Sequence, residues 1–67
     1  MKYYVVYEHG ERNWSAYVPE LPSVGVTGDS RDEVRHLIKR AIELQLAGLR
    51  EDGLPVPEPS GEFVEVA

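Results

Sequence analysis

Residues 30–55, SRDEVRHLIKRAIELQLAGLREDGLP, constrain the chain most, because both ends of one long helix are written into them. Ser30 followed by Glu33 has the capping-box spacing: the serine oxygen can accept from the amide of residue 33 while the Glu33 side chain reaches back to the amide of residue 30. At the other end Gly53 suits the left-handed residue beyond a helix, Leu54 stands where a Schellman motif makes its apolar contact with Leu49, and Pro55 stops continuation. The spacing predicts a helix over 31–52. At 100° per residue, Val34, Leu37, Ile38, Ala41, Ile42, Leu44, Leu46 and Leu49 cover an arc of roughly 200°, wider than the stripe one core needs. Part of that arc therefore calls for a second partner. Arg35, His36, Lys39, Arg40, Glu43 and Arg50 make the solvated side.

The rest of the chain must supply what this helix packs on, and 67 residues leave little to do it with. Domains of this size often recruit disulfides, metals or further copies of themselves. Cysteine is absent. His9 and His36 have no second histidine or carboxylate at a ligand spacing, so neither a metal nor a cofactor is expected. Self-association, as a homodimer or tetramer, is the expectation that remains.

KYYVVYE, residues 2–8, reads as a strand with apolar residues on both faces: Tyr3, Val5 and Tyr7 on one, Tyr4 and Val6 on the other. That pattern suits a strand inside a sheet. NWSAYVP, 13–19, alternates more cleanly and follows a turn signal at His9-Gly10, so it should pair with the first as a hairpin. VGVTG, 24–28, is a shorter third strand. GLPVPEPSGE, 53–62, with proline at every second position, is an extended connector, and FVEVA, 63–67, a last short strand. The order is β-β-β-α-β, a single small α+β domain with a mixed four-stranded sheet, one helix on one face and the first strand between the second and the fourth.

Charge limits the classes of partner. Residues 1–50 carry seven acidic and seven basic side chains, so the net −5 lies wholly in the C-terminal stretch with Glu51, Asp52, Glu58, Glu62 and Glu65. An acidic domain repels phosphate backbones and is steered towards basic proteins. Direct nucleic-acid binding is not expected. Neither a membrane-spanning run nor a secretory leader is legible, which points to the cytoplasm.

VPELPSVGVTGDS, 18–30, places two prolines and two glycines between strand and helix. Proline fixes φ and removes an amide donor, so the segment is stiff, and a preordered corner loses little entropy on binding. It is either a projecting recognition corner or an ordinary turn with Leu21 in the core; the local pattern alone favours the turn. Together with the tyrosine-rich first strand, the P-E-L-P corner, the T-G-D-S lead into a capped helix and the E-D-G-L-P-V-P-E-P-S exit, the chain resembles the HicB family of antitoxins, partners of HicA toxins, over residues 3–66. Val18, Glu20, Ser23 and Val24 replace that family's aromatic, Asp and Gly-Cys positions. The resemblance implies a partial RNase H-like fold that neutralises a small RNA-cleaving toxin by covering its active surface. A separate C-terminal DNA-binding segment, common in the family, is not expected within 1–67.

The partner-binding residues anticipated on this basis are Trp14, Tyr17, Glu20, Leu21, Pro22 and Glu58, and those of an oligomer interface Tyr4, Val6, Leu46 and Leu49. The expected partner is a small basic HicA-like toxin, besides the chain itself. A stand-alone oligomeric module without a toxin is the alternative. A metal-dependent RNase H-like nuclease would need converging carboxylates, one of them in the middle of the first strand, where Val5 and Val6 stand. Glu8, Glu33, Glu43 and Glu65 could be imagined as such a cluster, but solvated surface charge explains each, so the chain is not expected to be an enzyme.

Overall fold

The computed structural model describes residues 2–58 and 64–66. Among the described residues three strands, β1 (Val6–His9), β2 (Trp14–Val18) and β3 (Leu21–Gly28), precede one helix, α1 (Arg31–Glu51). All neighbouring strands are antiparallel in the order β1-β2-β3. β2 is therefore the middle strand. The first strand had been expected between two others; among the described residues it pairs with β2 alone.

The helix ends behave as local chemistry dictates. Ser30 is extended (φ −141°), and its Oγ accepts from the Glu33 amide at 3.1 Å. Glu33 does reach back, but to the amide of Asp29 at 3.3 Å, one residue earlier than the expected partner. Gly28 sits against this cap closely enough that a Cβ there would lie 3.0 Å from Val34 Cγ2. At the C-terminus the Gly53 amide donates to Arg50 O (3.1 Å) and the Leu54 amide to Leu49 O (2.8 Å), the paired bonds of a Schellman motif. Gly53 has φ +71°, so an alanine there would carry a strain of about 1 kcal/mol.

The core lies between α1 and the β2–β3 part of the sheet. Ala16, Val18, Leu21, Val24, Val34, Ile38 and Leu46 are buried, and Trp14, Tyr7, Val26, Ala41 and Ile42 pack around them. Cross-strand partners share a face. Tyr7 opposite Ala16 and Ala16 opposite Val26 thus line the helix side, while Val6 opposite Tyr17 and Glu8 opposite Ser15 line the other. The connector turns back onto this core: Val56 packs against it, and the Tyr3 hydroxyl donates to Pro57 O. Of the anticipated fourth strand, Phe63 and Ala67 lie outside the described residues, and residues 64–66 belong to no strand and are exposed.

Candidate protein-binding surface

The proline corner resolves into two devices. Pro19-Glu20 is a tight turn closed by the pairing of Val18 with Leu21, and the next β2–β3 pair is Tyr17 with Gly25. Pro22, Ser23 and Val24 therefore have no opposite number on β2, an irregularity that takes up the proline's missing amide. Leu21 is only 3% exposed and Val24 is buried, whereas Pro22 and Ser23 are exposed and Glu20 is half-buried. The ordinary-turn reading of Leu21 is thus the right one. Its side chain anchors the corner to the core and cannot itself reach a partner.

The face of the sheet away from α1 carries Tyr4, Val6, Glu8, Ser15, Tyr17, Gly25 and Thr27. Tyr4 is 54% and Tyr17 44% exposed, with Val6 half-buried beside Tyr17. Because Gly25, opposite Tyr17, has no side chain, the ring stands above its surroundings. Two phenols around an aliphatic patch, ringed by small and acidic groups, suit contact with a protein surface better than chemistry.

Trp14 and Tyr17, anticipated together, lie on opposite faces. Trp14 packs against the core on the helix side and stacks on His9, with ring centroids 4.1 Å apart and planes 10° from parallel. Glu58 is exposed within the connector. Of the anticipated oligomer residues, Tyr4 and Val6 share the helix-free face, but Leu46 is buried in the core and Leu49 is half-buried. A helical wheel gives the width of the apolar arc and not the part of it that the sheet covers. The structure rotates the uncovered part to Leu37 and Leu44.

On the helix side a groove of about 780 Å³ runs between β1 and α1. Tyr3, Val5, Ile38 and Ile42 are among its apolar lining, and Lys2, Arg35 and Lys39 bring positive charge to it. Arg31 lies over the Tyr7 ring, 4.4 Å from its centroid. The sequence did not single out this groove, since it depends on the helix settling over β2 and β3 rather than over β1.

The carboxylates do not converge. Glu8 is on the helix-free face, Glu33 is engaged in the helix cap and Glu43 belongs to the groove on the opposite side. Among the described residues no group of three or more histidine, aspartate and glutamate side chains could hold a metal ion, and no helix is long and apolar enough to cross a membrane.

The chain is 36% identical to Antitoxin HicB 2 of Photorhabdus laumondii subsp. laumondii over 69 residues, an alignment covering 98% of this chain and 50% of the relative. The chain therefore spans about half the length of the curated relative it matches. No family model and no solved structure matches it.

Proposed function

The chain belongs to the HicB-like antitoxin family, and from that premise we propose that it binds a small basic RNA-cleaving toxin of the HicA kind and neutralises it non-enzymatically, by covering the toxin's active surface. The observation that carries this reading is the helix-free sheet face, where Tyr4, Val6 and Tyr17 lie together on a chain of net charge −5. Tyrosines give large contact area at small entropic cost, and negative charge speeds encounter with a basic partner. The corner contributes Glu20 and Pro22, held in place by buried Leu21. Co-expression with the product of the adjacent open reading frame tests the reading: the expected result is that growth is restored and the two proteins co-purify. Failure of both would refute it.

A partial RNase H-like fold is part of the same proposal. In it residues 64–66 pair along the outer edge of β1, apolar side chains entering the groove and Glu65 approaching its basic side. The β1 edge, unpaired among the described residues, and the groove's composition support this arrangement. Slowed amide exchange at residues 64–66 together with cross-strand nuclear Overhauser effects to residues 5–7 is the expected result; fast exchange at all three in both free and toxin-bound protein would exclude it. A stand-alone oligomeric module is the second reading, favoured by the exposed apolar part of α1.

A further inference from the structure

The outward shoulder of α1 has a composition that its own fold does not explain. Leu44 is 64% and Leu37 38% exposed, one above the other at the spacing of two turns. Beside them, towards the sheet, are Ala41 and Gly48; on the outer flank are Arg40 and Glu51. Gly48 is the odd residue. It sits inside the helix without a positive φ, and a Cβ built on it would meet nothing within 4 Å. A glycine there costs about 1 kcal/mol relative to alanine and gains nothing within the monomer. Arg40 and Glu51 likewise make no ion pair within the chain among the described residues.

We propose that this shoulder is a self-complementary docking surface for a second copy of the chain, the two α1 helices crossing antiparallel about a two-fold axis near Leu44. A two-fold contact must match a surface to itself. In an antiparallel pair each flank meets the same flank of the partner helix, read in reverse. One register then places Leu44, Ala41, Gly48, Arg40 and Glu51 together. Leu44 packs on its counterpart at the axis, Ala41 faces the second copy's Gly48 so that the backbones approach closely, and Arg40 faces the second copy's Glu51. Both ion pairs arise from the one symmetry operation. In a parallel pair opposite flanks would meet, setting Arg40 against Ala41 and Glu51 against Gly48 with no ion pair formed, so charge selects the antiparallel arrangement. The contact spans residues 40–51, about 18 Å of helix, and does not cover the sheet face on the far side from α1.

Sedimentation equilibrium on the chain alone, from tens to hundreds of micromolar, tests this, with circular dichroism as the control on folding. The expected result is a monomer–dimer equilibrium. Leu44→Asp, at an exposed position, should weaken it about a hundredfold by setting two carboxylates at the axis. Arg40→Glu and Glu51→Arg should each weaken it about tenfold, and the two together should restore it. A wild-type monomer throughout that range, a dimer indifferent to Leu44→Asp, or a double variant no tighter than either single one would overturn the proposal.

Discussion

Replacing Ile38 by alanine is expected to leave much of the protein unfolded at room temperature. Ile38 is 2% exposed and, with Val18 and Val34, is one of the largest fully buried side chains. Truncating such a residue removes its transfer free energy and leaves a cavity, together about 2–5 kcal/mol. At about 0.05–0.15 kcal/mol per residue the whole domain holds only about 3–10 kcal/mol, so the loss consumes a large share of it. Leu44→Ala on the same helix deletes as many atoms from a side chain that the monomer leaves in water. Urea unfolding at low micromolar concentration, where self-association contributes little, should therefore separate them: a midpoint near zero denaturant for Ile38→Ala, and a change within about 0.5 kcal/mol for Leu44→Ala. Equal losses would mean that α1 is docked in a different rotation.

That comparison also marks where sequence reasoning stopped. The helix ends were legible because their signals act over three or four residues: Ser30 needs only the amide of Glu33, and Gly53 needs only the carbonyl of Arg50. The rotation of the helix was not, because it depends on which strands lie beneath. Settled over β2 and β3, α1 buries Leu46 and turns Leu37 and Leu44 outward. The third strand begins at Leu21 rather than Val24 for a related reason. Pro22 reads as a strand breaker, yet it falls among residues without a β2 partner, where a missing amide costs no ladder bond. The tyrosines of the first strand were assigned to faces by alternation alone, whereas which strands flank it is a property of the sheet; among the described residues only β2 does.

The site was legible in the same partial way. Alternation put Tyr17 and Trp14 on opposite faces of β2, and the structure agrees, which makes a single flat contact through both impossible. The corner was visible as a stiff segment. Whether Leu21 pointed inward depended on the core behind it, and with 3% exposure it serves as a foundation for its neighbours. Leu21→Asp is consequently a poor probe of recognition, since it would place a charge in the core and unfold the chain whatever the corner binds.

Tyr17→Ser is the sharper probe, and it is expected to weaken toxin binding by about thirtyfold or more while leaving the fold in place. Tyr17 is 44% exposed on the helix-free face, opposite Val6 on one side and Gly25 on the other, so its ring makes few contacts that the monomer depends on. Central tyrosines of protein interfaces commonly contribute about 2 kcal/mol or more when truncated, which corresponds to that factor. Serine leaves the net charge at −5, so electrostatic steering towards a basic partner is retained and the loss should fall on dissociation rather than association. Glu20→Lys should do the reverse, slowing association at low salt with little effect at high salt. Binding kinetics of the two variants, with thermal melts as controls on folding, distinguish the roles. If Tyr17→Ser binds and neutralises the toxin as the wild type does, recognition does not run through the open face, and the groove between β1 and α1 becomes the surface to probe next.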